Sequence, residues 1–138
     1  MLANFFAQAA PDPGRVVTGL QELLVNAVEH GNLGITYAEK TALIMQGSWL
    51  EEVDIRLAMP ELSSRSVEVV FDRLPDCIRY RVRDQGTGFD WQRYLDFDPE
   101  RVFDPHGRGI AMANKLCFDA LEYQGNGNTV LATIRLPV

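Results

Sequence analysis

The stretch VEVVFDRLPDCIRYRV, residues 67–82, decides the fold class. Val67, Val69 and Phe71 recur at period two, and Ile78, Tyr80 and Val82 repeat the pattern. That is the spacing of strands with one buried face. Leu74-Pro75-Asp76 lies between the two runs as a turn, so the stretch predicts an antiparallel hairpin. Downstream, Asp119–Tyr123 and Thr129–Leu136 read as two more strands around the turn Gly125-Asn126-Gly127-Asn128. Gly109–Leu116 reads as a short helix between the hairpins.

Upstream of residue 67 the period is helical. A short helical start at Met1–Ala10 is broken by Asp12-Pro13-Gly14. From Arg15 to Glu29, Val16, Leu20, Leu23, Leu24, Ala27 and Val28 fall at three- and four-residue spacing, so one face packs inward. His30-Gly31-Asn32 predicts the stop, with Gly31 as a left-handed cap. Tyr37–Gln46 reads as a second helix ended at Gly47, and Trp49–Met59 as a third stopped by Pro60. Helices followed by an antiparallel sheet with one helix inserted give an α/β (α+β) two-layer sandwich. Its sheet is mixed, mostly antiparallel, and packs on helices.

The chain has 138 residues, 46% hydrophobic and 23% charged, as expected of one globular domain over residues 1–138. No apolar run approaches the roughly 20 residues of a membrane span. A net charge of −6 argues against a general nucleic-acid binder. Cys77 and Cys117 lack zinc-ligand spacing and read as two buried thiols. Met1–Ala10 is a poor signal peptide, with no positive charge before Arg15. The expected location is cytoplasmic, with neither membrane nor nucleic acid as a partner. Phe5, Phe6 and Trp49 are candidates for an apolar interface, or for ordinary core.

Three groups of residues carry chemistry. Glu22, Asn26 and His30 are each four residues apart, one polar stripe on a very apolar helix, with Glu29 beside it. Asn is a poor helix former, so its place there asks for a reason beyond a solvated face. A carboxylate and a carboxamide at this spacing can hold hydrated magnesium, or position a hydroxyl or water for attack. Arg83-Asp84-Gln85-Gly86-Thr87-Gly88-Phe89 directly follows a strand. It is either a plain turn or a close backbone approach to a ligand. Trp91 at the third glycine position excludes the dinucleotide fingerprint. His106-Gly107-Arg108-Gly109-Ile110 opens a helix after an irregular segment. It is either an anion site or a helix start that needs flexible residues.

In this order the three groups resemble the N, G1 and G2 boxes of the GHKL ATPase superfamily. Glu22–Gly31 is similar to the N box, Asp84–Phe89 to the G1 box and Gly107–Ile110 to the G2 box. The Asn-Ala-x-x-His-Gly ending resembles the anti-sigma-factor serine/threonine kinases of bacterial stress and sporulation control. The resemblance covers Pro13 to Leu136 and implies a Bergerat-type ATP-binding fold. It implies ATP and Mg2+ as cofactors, Asn26 as the magnesium ligand and Glu22 as the catalytic base. His30 would lie near the phosphates, Glu29 would be a further cofactor-binding residue, and Asp84 would accept from the adenine amino group. Gly86 and Gly88 would approach the base. Gly107, Arg108, Gly109 and Ile110 would wrap the phosphates, and Thr129 would reach adenine through water. Asp90–His106 would be the lid.

The family usually opens with a strand, whereas this chain starts helical, so the expectation is a domain excised from or fused to a longer regulatory protein. Receiver or PP2C-type phosphatase domains are the fusions that the resemblance implies. Tyr37–Leu62 is longer than in compact relatives. The implied function is a kinase acting on an anti-sigma-factor antagonist-like or sigma-factor-like partner, with a homodimer as the related assembly. The alternatives are an ATP-gated protein-binding module and a ligand-free interaction domain. Three glycine boxes count against the last.

Overall fold

The computed structural model describes residues 2–95 and 109–137. Six short α-helices and four strands form its layers: α1 (Leu2–Ala7), α2 (Pro13–Asn26), α3 (Tyr37–Gln46), α4 (Trp49–Leu57), α5 (Pro60–Ser63), β1 (Glu68–Arg73), β2 (Cys77–Arg83), α6 (Gly109–Met112), β3 (Ala120–Gln124) and β4 (Thr129–Arg135). The sheet order is β1-β2-β4-β3. Every pairing in it is antiparallel, so no parallel pair accompanies them in this sheet.

β2 and β4 occupy the centre, and their inward residues alternate as the sequence predicts. Ile78, Tyr80 and Val82 on β2 and Val130, Ala132 and Ile134 on β4 are all buried. Val16, Leu20 and Leu23 of α2 cover them in one core with Ile110, Ala113 and Phe118. Gly19 is required where α2 crosses the chain after α6. A β-carbon there would lie 2.5 Å from the Phe118 ring. Helix α1 packs Ala3 and Ala7 into the same core, and the Tyr80 hydroxyl donates to the Phe6 carbonyl at 2.9 Å.

Local signals set the helix starts. Asp12 caps α2, accepting from the Arg15 N–H at 3.4 Å, with Pro13 in the first turn. Thr36 and Glu39 form a reciprocal capping box on α3, and Gly47 ends it at φ 71°.

The predicted end of the long helix needs correcting. α2 stops at Asn26 and continues as a π-helical turn, Ala27–Asn32. Leu33 N–H donates to the Val28 carbonyl five residues back, at 2.9 Å. Gly31 is therefore not a left-handed cap, and the positive φ (66°) falls at Gly34. α6 likewise passes into a π turn, Ala113–Cys117. Such turns are rare and concentrate at functional sites. Cys77 and Cys117 are both free and buried. Among the described residues no helix is long and apolar enough to cross a membrane.

Candidate nucleotide site

The π turn brings the first two sequence groups together. Gly31 lies directly against the Asp84 carboxylate, and a β-carbon on Gly31 would sit 2.3 Å from its carboxyl carbon. Gly86 lies against the Gly31 carbonyl at the same built distance, 2.3 Å. Gly88 has φ +87° and abuts the Asn126 carbonyl. These glycines make room for chain approaching chain. Two polar links complete the joint. Gln85 N–H donates to Asn32 Oδ1 at 2.7 Å, and Arg65 Nη1 donates to the Asn32 carbonyl at 2.8 Å.

The cavity at this joint is lined by Asn26, His30, Gly31, Tyr37, Asp84, Gly88, Phe89, Tyr123, Asn128 and Val130, with Leu23, Ala27, Val82 and Gly127. Its volume is about 20 Å³, room for a single water. Aromatic rings fill the remainder. His30 stacks on Tyr37 at 3.9 Å and Tyr37 on Tyr94 at 4.4 Å. Phe89 meets Tyr123 edge-on at 5.3 Å. A second cavity of about 240 Å³ lies on the other side of Tyr37 and Phe89, bounded by Thr36, Thr87, Asp90 and Tyr94.

Asp84 is only 8% exposed. Burial pushes its carboxyl up, against the Gly86 N–H donated to Oδ1 at 2.8 Å and the field of Arg65. One carboxylate oxygen is thus used locally, and the group remains an acceptor facing the cavity. Tyr123, beside it, is held well above the usual phenol range by burial and by Asp84. Asn26 Oδ1 accepts from the Tyr37 hydroxyl at 3.4 Å, and its buried Nδ2 has no partner. An unpaired buried amide costs free energy, so this carboxamide is set for a ligand. Turning the amide over would give Tyr37 a donor and point the carbonyl oxygen into the cavity.

Glu22 stands one turn before Asn26. Burial raises its carboxyl pKa, and Lys40 partly offsets that. Its Oε2 touches Gly109, where a β-carbon would lie 2.0 Å away. This contact brings the G2-box glycine to the catalytic candidate. The His30 Nδ1 bonds the Ile35 carbonyl, which only accepts, so that nitrogen carries the proton.

Other predicted site residues lie elsewhere. Glu29 is buried, and its carboxylate accepts from Trp49 Nε1 at 2.5 Å and pairs with Lys40 at 3.3 Å. The widened turn rotates it off the Asn26 stripe toward α3 and α4. Ile110 packs in the core. Thr129 does not line the cavity; its hydroxyl donates to Asn128 Oδ1 at 3.2 Å. Gly107 and Arg108 lie outside the described residues, as does most of the Asp90–His106 segment. Of that segment, Trp91–Tyr94 forms a single 3-10 turn.

Asn128, Tyr123 and Tyr37 were not singled out from the sequence. Asn128 holds the joint, its carbonyl accepting the Asp84 N–H at 2.9 Å. The strand alternation that buries Tyr123 and Val130 was a usable signal for those two. Nothing local marked Tyr37.

Phe5 is exposed, whereas Phe6 packs against Phe71 and Trp49 donates to Glu29. Only the first of the three interface candidates therefore lies open to solvent.

The model of the histidine kinase-like ATPase domain matches residues 54–134, more than half of the chain. The chain belongs to the histidine kinase-like ATPase domain family. Among curated proteins none matches it. The match contains the G1 and G2 boxes and all four strands, while Glu22, Asn26 and the π turn lie outside it. Their place in the ATPase domain rests on the contacts of Gly31 with Asp84 and of Glu22 with Gly109. The protein is thus an ATP-binding domain of GHKL type.

No trio of His, Cys, Asp and Glu side chains among the described residues could cage a metal.

Proposed function

We propose that this domain is a serine/threonine protein kinase that phosphorylates an anti-sigma-factor antagonist-like partner in the bacterial cytoplasm. The observation that carries the reading is Asn26, whose buried Nδ2 has no partner, one turn from a Glu22 carboxylate held against Gly109. Asp84 receives the adenine amino group, and Asn26 holds magnesium against the phosphates. Magnesium, when bound, neutralises charge on the phosphate oxygens. Glu22 takes the proton of the partner's hydroxyl as its oxygen bonds to the γ-phosphorus and the bond to ADP breaks. A carboxylate with a raised pKa is the better base for that step.

A second reading is an ATP-gated partner-binding module with little transfer, in a chain fused to a receiver or PP2C-type domain. The stack of His30, Tyr37 and Tyr94 favours it, since it ties the nucleotide site to the start of the lid segment.

Calorimetric titration with ATP and magnesium tests the shared nucleotide site. Wild type binds only with magnesium, and Asn26→Ala weakens binding at least about tenfold. Equal binding by the variant overturns the site. Glu22→Gln with unchanged ATP affinity but no transfer supports the kinase, and unchanged transfer removes Glu22 as the base.

A further inference from the structure

Helix α4 leaves apolar side chains in solvent and is held to the domain by polar contacts. Its inward side carries Trp49, Glu52, Val53 and Arg56, and three of these make polar contacts. Trp49 donates to Glu29, and Arg56 pairs with Glu52 at 2.9 Å and Glu39 at 2.8 Å and donates to the Leu33 carbonyl. Its outward side carries Leu50 and Leu57, seven residues apart on one stripe, and Ile55 about 140° round the helix from Leu50, exposed by 67%, 45% and 47%. The end of α3 adds Ile44 and Met45, and Met59 follows α4, all exposed. No residue of α3, α4 or α5 is fully buried. An apolar surface turned outward while polar groups do the anchoring marks an interaction face.

Charge identifies the occupant. Lys40 and Arg56 are the only cations between residues 37 and 63, and both are engaged inward. Glu51, Asp54 and Glu61 are exposed beside the apolar residues and form no ion pair among the described residues. A second copy would set these carboxylates against their own kind in a chain of net charge −6. We propose that the outward face of the α3–α4 hairpin docks an amphipathic helix of a basic protein partner. Its apolar stripe lies on Leu50 and Leu57, and its lysines or arginines meet Glu51, Asp54 and Glu61. Met45 and Met59 let the face adapt to the shape of that stripe.

The test uses the full chain and a labelled peptide with leucines at i, i+3, i+4 and i+7 and lysines on the other face, read by fluorescence anisotropy. A counterpart with glutamate for each lysine is the charge control. The lysine peptide binds at least about tenfold more tightly than the glutamate peptide. Leu50→Ser with Leu57→Ser, and separately Glu51→Lys with Asp54→Lys, each weaken it about tenfold. Phe5→Ser, exposed on a different helix, leaves binding unchanged. All these positions are exposed, so thermal melting confirms that the variants fold. Equal binding of the two peptides, or wild-type binding by both double variants, overturns the proposal. Concentration-dependent dimerisation abolished by the Leu50→Ser, Leu57→Ser variant also overturns it, since a second copy then covers the face.

Discussion

Strand β2 and helix α4 hold comparable lengths of chain by opposite means. β2 alternates buried and exposed residues from Ile78 to Arg83, with Cys77 also buried, and is covered on one face by α2. α4 buries none of its residues fully and is fastened by a few polar contacts to Glu29, Leu33 and Glu39. The difference teaches where each kind of stability resides. Burial stabilises the sheet as a cooperative unit, through many small contacts. Directional bonds hold the hairpin, and each of them can be removed singly.

The harshest test of the comparison is Leu20→Ala in the centre of the core, where Leu20 is 1% exposed. It should cost about 3 kcal/mol and lower the whole domain's denaturation midpoint without changing the slope. Chemical denaturation followed by tryptophan fluorescence and by circular dichroism checks this, since both probes should shift together. Trp49 on the hairpin and Trp91 beside Tyr123 report from the two regions. A loss seen by one probe alone would show that the sheet and hairpin unfold independently.

A smaller and more local effect is expected from Glu29→Ala. The substitution removes the acceptor of Trp49 and the partner of Lys40, which also lies over the Trp49 ring at 4.7 Å. Leaving a nearly buried ammonium without its carboxylate should cost about 2 kcal/mol. Hydrogen exchange should quicken in α3 and α4 and stay slow in β2 and β4. Uniform loss of protection would show that the hairpin belongs to the core's cooperative unit.

The same contrast explains what was legible in the sequence. Burial writes a period into the chain, so the strands, the α2 face and both hairpin turns could be read from Val69, Phe71, Ile78, Tyr80 and Leu20. Caps also write local signals, which placed α3 at Tyr37–Gln46 to the residue. The π turn writes neither. Ala27–Glu29 looks like continued helix and His30-Gly31-Asn32 like its stop, and only the contact of Gly31 with Asp84, 53 positions apart in the chain, shows why the turn must widen. Glu29 turns to Trp49 and Lys40 for this reason, because the helical phase does not carry past the point where the helix changes pitch. The G1-box glycines are legible as a turn or a close approach, whereas Gly31 reads as a cap, and the partners of all three are not legible. A glycine announces room for a neighbour without saying which neighbour arrives.

The mildest perturbation tests the point where the two regions meet. Glu22 sits on the core helix, and its nearest opposing charge, Lys40, comes from the hairpin. Burial raises its carboxyl pKa from the ordinary 4.5, so the folded state holds the proton more tightly than the unfolded chain. The sign follows directly. Its contribution to stability is best below the unfolded pKa, falls as pH rises through the raised folded pKa, and is constant above it. Glu22→Gln cannot titrate, so it should melt slightly higher than wild type at neutral pH, by about a degree or two, with the advantage shrinking as pH falls toward 4.5. Melting curves across that window check it, and an advantage that grows toward acid would reverse the assignment. In the proposed kinase, transfer should rise with pH over the same window in which wild-type stability declines, because the deprotonated carboxylate that burial disfavours is the form that accepts the hydroxyl proton. Glu29→Ala should then act on both curves through Lys40, freeing its charge to lower the Glu22 pKa and moving both transitions to lower pH.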